Sequence, residues 1–100
     1  GGENVASREV EEAIFRHPKI AEVSVFGIPH PKWIEAVTAV VVPKEGEDLT
    51  VEEIEAYCRE TLSHFKSPKH VAIRAALPKN ASGKILKREL RIEFASVFDS

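Results

Sequence analysis

Residues 20–43 read IAEVSVFGIPHPKWIEAVTAVVVP, and this stretch decides the fold. It contains two β-rich segments, residues 20–28 and 33–43, separated by a short connector that begins at Pro29. The second segment is wholly apolar from residue 39 to residue 42, which is typical of a strand that is buried on both faces. The two segments therefore predict two strands of a small sheet, the second of them buried.

An amphipathic helix is predicted upstream of these strands. It follows Ser7, a plausible N-cap, and ends before Pro18. Glu9 and Glu11 fall in its predicted first turn, where carboxylates favour the positive end of the helix dipole. The residues at helical spacing are Val10, Ala13, Ile14 and His17.

The elements downstream complete the pattern. Thr50 and Glu53 form a capping-box pattern that opens a helix over residues 51–62, and residues 71–77 alternate as a short strand. A last helix is predicted from about residue 86. Its apolar side consists of Leu86, Leu90, Phe94, Val97 and Phe98. The order helix–strand–strand–helix–strand–loop–helix predicts an α+β fold, a small mixed sheet flanked by about three helices.

Length and composition agree with one globular domain over residues 1–100. Hydrophobic residues make up 43% of the chain and the net charge is only -2, which excludes disorder. The longest apolar run, residues 39–42, is far too short to span a membrane, and we expect no signal peptide. A single cysteine, Cys58, excludes an internal disulfide and favours a reducing, cytoplasmic location.

Charge is distributed unevenly along the chain. Residues 1–63 contain six Lys/Arg and thirteen Asp/Glu, a balance of -7. Residues 64–91 contain eight Lys/Arg and one Glu, a balance of +7. Such a basic block predicts an anionic ligand, and the alternative is a set of lysines that simply face water.

One loop has the residues for phosphate chemistry. Residues 78–84, PKNASGK, are rich in turn-forming residues and place Lys84 directly after Gly83, just ahead of a helix. The loop is not a P-loop, because Pro78 and Ile85 occupy the positions where that motif needs Gly and Ser or Thr. Lys84 is therefore either a cation presented to a neighbouring cleft or an ordinary exposed lysine.

Other reactive residue types give weaker signals. The four histidines show no metal-ligand spacing, so no metal site is predicted, and Cys58 lies on an apolar helix face as a core residue. His17 is interpreted as a helix-end residue. Trp33 and Phe65 lie in connectors beside Pro or Lys, where an aromatic ring either fills the core, the default, or stacks on a flat ligand.

Three segments, taken in order, carry a family resemblance: GGENVASREVEEAI at residues 1–14, HPKWIEAVTAVVVP at 30–43 and LPKNASGKILKREL at 77–90. Together they resemble the C-terminal domain of acyl-CoA synthetases, which belong to the adenylate-forming superfamily. The resemblance implies a mobile cap that works with a large N-terminal domain of the same polypeptide, joined through a hinge upstream of residue 1. It also implies a ligase that converts a fatty or other carboxylic acid, ATP and CoA to acyl-CoA, AMP and pyrophosphate. Mg²⁺ is expected with the ATP, held by the N-terminal domain.

The resemblance also assigns roles to individual residues. Lys84 matches the lysine that acts in acyl-adenylate formation, and Ser82 and Gly83 form the loop that supports it. A second set matches positions that line the pantetheine tunnel or contact CoA in the thioester-forming pose: Gly1, Gly2, Trp33, Phe65, Lys66 and Lys69.

Two other functions are compatible with the sequence. In the first, the adenylate is formed but the acceptor is a carrier-protein phosphopantetheine, or the product is oxidised as in luciferases. In the second, the basic block binds nucleic acid, although it lacks the regular aromatic residues of a single-strand platform.

Overall fold

The computed structural model describes residues 5–32 and 35–98. Its elements are α1 (Val5–Phe15), β1 (Ile20–Pro29), β2 (Glu35–Pro43), α2 (Val51–Thr61), β3 (His70–Ile73) and α3 (Lys87–Glu93). Their order confirms the α+β fold predicted from the sequence.

The three strands form one mixed sheet with β2 in the centre. β1 pairs with β2 in antiparallel fashion, with Val25 opposite Ala39, and β3 pairs with β2 in parallel. A register shift between Ile20 and Glu22 interrupts the alternation of side chains along β1. This shift explains why Ile20 and Val25, five residues apart, reach the same core.

The sheet is covered on both faces, as the apolar sequence of β2 predicts. α1 and α2 cover one face and α3 the other. The first core consists of Val10, Ile14, Ile20, Val25, Ala39, Val41, Ile54, Cys58 and Val71. The second consists of Phe26, Ile28, Val40, Val42, Ala72, Leu77, Leu90 and Phe94.

The start of α1 differs from the prediction. The helix begins at Val5, so Ser7 is not its N-cap, and its first turn contains no acidic residue. Glu11 instead makes a tertiary contact, because its Oε2 accepts a hydrogen bond from the Val25 N–H at 2.7 Å. His17 does lie just beyond the helix, where its Nδ1 accepts a hydrogen bond from the Lys19 N–H at 3.1 Å.

The capping box of α2 is confirmed. The Glu53 N–H donates to the Thr50 hydroxyl at 3.1 Å, and the Thr50 N–H donates to the Glu53 carboxylate at 3.3 Å. Lys19 also donates to Glu53, and this hydrogen bond holds the pKa of that carboxyl below its ordinary value. Ile54 and Cys58 of this helix are buried, in agreement with the placement of Cys58 on an apolar helix face.

The last two elements are shorter than predicted. β3 covers only His70–Ile73, although the Arg74 N–H that follows still donates to the Val41 carbonyl of β2 at 2.9 Å. The Arg74 side chain pairs with Glu93 at 2.9 Å and lies over the Phe94 ring. α3 ends at Glu93, so the predicted helical face holds for Leu90 and Phe94, which are buried, but is wrong for Val97, which is 37% exposed. Within residues 5–32 and 35–98, no helix has the length and apolar character to cross a lipid bilayer.

Candidate functional site

The loop that carries Lys84 is held by one asparagine. The side-chain Oδ1 of Asn80 accepts hydrogen bonds from the Ser82 N–H and the Lys84 N–H at 3.0 Å each, and from the Ser82 hydroxyl at 2.8 Å. Gly83 adopts a left-handed backbone with φ of 86°, which residues with a Cβ rarely adopt. The predicted support by Ser82 and Gly83 therefore has a structural basis, and Asn80, which the sequence analysis did not single out, is the centre of it.

The base of the same loop is closed as well. The Asn80 N–H donates to the Lys84 carbonyl at 3.0 Å, and the Leu86 N–H donates to the Pro78 carbonyl at 2.8 Å. Lys79 pairs with Glu22 on β1 at 2.6 Å, which ties the loop to the sheet. The backbone of Lys84 is thus fixed, whereas its side chain is exposed and its ammonium pairs with no group in the described part of the chain.

Phe65 lies in a different environment, and its default assignment to the core is wrong. The ring is 89% exposed, and it lines an open groove of about 340 Å³ together with His64, Lys69 and the first residues of β2. An exposed ring of this size is available to stack on a flat ligand.

The two lysines predicted beside Phe65 do lie at this groove. Lys69 lines the groove and donates to the His64 carbonyl at 3.3 Å. Lys66 lines an adjoining recess and pairs with Glu9 at 2.8 Å in an exposed ion pair. The structure therefore brings Phe65, Lys66 and Lys69 together, as the resemblance implies.

Gly27 and Glu35 complete the recess, and neither is predicted from the sequence. A Cβ built on Gly27 would lie 2.7 Å from the Glu35 Oε1, so the carboxylate occupies the space that a side chain at residue 27 would need. The signal in the sequence was an isolated glycine within a strand, which often marks a close approach to the backbone. The remaining predicted contacts, Gly1, Gly2 and Trp33, lie outside the described residues.

The Lys84 loop and the Phe65 groove lie toward opposite ends of β1. Lys79 of the loop contacts Glu22 near the start of the strand, and the recess includes Gly27 near its end. Five residues of strand separate these anchors, which corresponds to about 17 Å. The loop and the recess therefore contact β1 at different residues.

Folding also accounts for much of the uneven charge. Within residues 5–32 and 35–98, four cations of the basic block pair with carboxylates, three of which lie in the acidic part of the chain. The pairs are Lys66–Glu9, Lys79–Glu22, Lys87–Glu11 and Arg74–Glu93. Part of the basic block is thus neutralised by carboxylates within the fold.

Cys58 behaves as a core residue, as predicted. It is buried, and burial raises the pKa of its thiol to about 11, so it is a poor nucleophile at neutral pH. Within residues 5–32 and 35–98, no three His, Cys, Asp or Glu side chains are arranged to hold a metal ion.

The family follows from a direct comparison. The profile of the AMP-binding enzyme C-terminal domain matches residues 9–84, more than three quarters of the chain. The chain belongs to this family. The match covers Phe65, Lys66 and Lys69 and ends on Lys84, so both sites described above lie within the AMP-binding enzyme C-terminal domain.

Similar proteins include several CoA ligases. The AMP-binding enzyme C-terminal domain described here is 46% identical to part of a peroxisomal butyrate–CoA ligase of Arabidopsis thaliana, over 91% of this chain and 16% of that protein. It is 47% identical to part of a crotonobetaine/carnitine–CoA ligase of Salmonella arizonae, over 91% of this chain and 18% of that protein. The chain thus spans less than a fifth of the length of these curated relatives.

A solved structure shows the same fold. The crystal structure of apo MatB from Rhodopseudomonas palustris superimposes on the domain with a TM-score of 0.89 at 35% identity. The superposition covers 99% of this chain and 20% of that protein. The match confirms the predicted α+β architecture of the AMP-binding enzyme C-terminal domain.

Proposed function

We propose that this chain is the C-terminal domain of an ATP-dependent acid–CoA ligase and alternates between two poses against an N-terminal domain. The full-length enzyme joins a carboxylic acid to ATP as an acyl-adenylate, releases pyrophosphate, and transfers the acyl group to the thiol of CoA with release of AMP. Membership of the family and the names of the CoA ligases that resemble the chain support this activity. The observation that carries the two-pose proposal is the separation of two exposed basic sites along β1.

Lys84 acts in the first pose. Acyl-adenylate formation brings a carboxylate against the α-phosphate of ATP, and the two anions repel each other. An ammonium between them holds them at attack distance and stabilises the charge that develops on the phosphoryl oxygens. The fixed backbone and exposed side chain of Lys84 suit this role, because the loop supplies position and the ammonium pairs with no group within residues 5–32 and 35–98. Ser82 and Gly83 keep that loop in shape.

The Phe65 groove acts in the second pose. Phe65 stacks on the flat adenine of CoA, and Lys66 and Lys69 neutralise its phosphates. Lys66 must first leave Glu9, but an exposed ion pair contributes only about 0–1 kcal/mol and is easily exchanged. Gly1, Gly2 and Trp33 line the pantetheine arm by their resemblance to family positions.

The acid itself is selected outside this domain. The chain has nearly the same sequence identity, 46% and 47%, to parts of ligases named for butyrate and for crotonobetaine or carnitine. These acids differ chemically from one another. We therefore place the acid pocket in the N-terminal domain, together with the groups that bind ATP as its Mg²⁺ complex. The cytoplasmic location stays a prediction from Cys58.

ATP–pyrophosphate exchange by the full-length enzyme tests this function. Lys84→Ala should lower the exchange rate by about 10²- to 10³-fold, the loss that follows removal of one group stabilising transition-state charge. Arg88→Ala is the matched control, because Arg88 is another exposed cation four residues further along the chain. Exchange that Lys84→Ala leaves unchanged would remove Lys84 from the reaction.

The acceptor is tested in the same preparation. Supplied acyl-adenylate and free CoA should yield the thioester. An enzyme that forms the adenylate but does not use CoA would instead fit the alternative in which a carrier protein is loaded.

A further inference from the structure

Lys87 lies only three residues after Lys84, yet its side chain points into the molecule. It is the first residue of α3, and its side chain is 14% exposed. The ammonium lies 2.8 Å from the Glu11 Oε2 and donates a hydrogen bond to the Val25 carbonyl, also at 2.8 Å. One lysine thus joins α3 to α1 and to β1.

The same ion pair provides hydrogen-bond partners for the backbone at the edge of the sheet. Glu11 Oε2, besides pairing with Lys87, accepts the Val25 N–H at 2.7 Å. β1 is an edge strand, so the outward N–H and C=O of Val25 have no strand to pair with. The ion pair supplies both partners, and three elements meet at one strand residue.

This ion pair is better shielded than the other pairs that the basic block makes. The side chains of Lys87 and Glu11 are 14% and 21% exposed, whereas both side chains of the Arg74–Glu93 pair are more than 40% exposed. Shielding from water strengthens a charge pair that is also hydrogen-bonded, and removing one partner leaves a poorly solvated charge behind. Lys87 therefore makes a fixed contact and not a mobile surface pair.

We propose that Lys87 is a positioning residue for Lys84, an inference that rests on the proposed function. Residues 78–86 form a closed unit through the Leu86–Pro78 hydrogen bond and the bridge between Lys79 and Ile85. The orientation of such a unit depends on where its two ends are attached. Lys87 fixes the outgoing end against Glu11 and Val25, and so determines where the ammonium of Lys84 is presented.

The two half-reactions of the full-length enzyme test this role. Lys87→Met keeps an unbranched side chain but removes the charge. We expect acyl-adenylate formation to fall about 10- to 100-fold, since small misplacements of a catalytic group have effects of this size. Thioester formation from supplied acyl-adenylate should stay within about twofold of wild type, because Lys84 acts only in the first step. Lys87→Arg keeps the cation and should restore most of the adenylation rate.

Two further variants keep the test decisive. Arg74→Met removes a more exposed ion pair, with Glu93 at the other end of α3, and should leave both half-reactions close to wild type. Glu11→Gln keeps an acceptor for the Val25 N–H but removes the charge that holds Lys87. It should show the same selective loss in a milder form, even if Lys87→Met does not fold.

The outcomes separate the two proposals. A wild-type enzyme that forms no acyl-adenylate overturns the proposed function and, with it, the role of Lys87. If wild type is active and Lys84→Ala is not, normal adenylation by Lys87→Met and Glu11→Gln overturns the positioning role alone. Equal loss of both half-reactions in these two variants overturns it as well, because that result marks a general loss of stability.

Discussion

The Lys84 loop and the Phe65 groove are built by different means. The loop is local, since the side chain of one residue, Asn80, and the left-handed Gly83 set its shape within a few residues. The groove is assembled from the connector after α2 and the start of β2, and the recess beside it adds the end of β1 and residues of α1. The loop therefore has a shape of its own, whereas the groove exists only when the whole domain is folded.

This difference suits the two tasks proposed for the domain. A lysine that lies between two anions needs a precise position. A short hydrogen-bonded turn provides that position with few contacts to the rest of the domain. A long, flexible ligand such as CoA instead needs an extended surface with an exposed ring and several cations. The loop contacts β1 at Glu22 and the recess contacts it at Gly27, about 17 Å further along the strand, which fits the proposed rotation of the domain between two poses.

Loosening the Lys84 loop should produce the largest difference between the rates of the two half-reactions. Asn80→Ala removes the acceptor of three hydrogen bonds, so Lys84 samples more positions. We expect acyl-adenylate formation by the full-length enzyme to fall about 10- to 100-fold, with thioester formation unchanged. Rapid-quench measurement of each half-reaction checks this.

Asn80→Asp is the control for that variant, because it keeps an acceptor oxygen where the three donors converge. It should retain most of the adenylation rate. Full adenylation by Asn80→Ala would show that the hydrogen-bonded turn does not position Lys84.

Filling the recess beside Gly27 should have a smaller effect, and it should impair CoA binding while leaving adenylation unchanged. Gly27→Val places two methyl groups where Glu35 now lies, and the carboxylate at the end of a flexible side chain can move aside. We expect the KM for CoA to rise about tenfold, a loss of roughly 1.4 kcal/mol in binding, with adenylation unchanged. Steady-state kinetics with varied CoA measure this.

Stability is the control for the valine variant. Valine suits a strand better than glycine, so the free energy of unfolding should change by less than about 1 kcal/mol. Gly27→Ala adds only a Cβ and should give an intermediate KM. An unchanged KM in both variants would exclude the recess from the CoA site.

The smallest expected effect is a pH dependence of the stability of the domain, and it should change both half-reactions alike. His70 lies at the start of β3 with its ring against Phe94 and Phe98, and burial, together with the charge of Arg74, lowers its pKa below the ordinary value near 6.5. The unfolded chain therefore binds the proton more readily, so the contribution of His70 to stability is complete above about pH 6.5 and decreases as the pH falls below it.

Chemical denaturation of the chain between pH 7.5 and 5 measures this slope. His70→Phe should flatten it, since phenylalanine does not titrate and fits among the neighbouring rings. Loss of stability should affect both half-reactions together. A slope that is the same in wild type and His70→Phe would assign the pH dependence to other groups.

Local sequence signals predicted most of the fold and the Lys84 loop. The capping box at Thr50 and Glu53, the apolar run of β2 and the turn residues around Gly83 each act within a few residues of one another. Such signals can be interpreted without knowledge of the distant chain.

The features that the sequence did not predict depend on contacts between distant residues. Glu11 was interpreted as a residue of the first helical turn, yet its carboxylate bonds Val25 and Lys87. Residue type alone favours a core position for Phe65, and only the family resemblance predicts a ligand contact for its ring, which is 89% exposed. Gly27 matters only because Glu35 crosses over it.

One crossed comparison tests most directly whether the two ends of the domain serve different steps. Lys84→Ala and Phe65→Ala are made in the full-length enzyme, and both half-reactions are measured for each. We expect Lys84→Ala to lose adenylation and keep thioester formation, and Phe65→Ala to keep adenylation and need about tenfold more CoA. If each variant slows both half-reactions to the same extent, the two ends do not act separately and the proposed alternation is wrong.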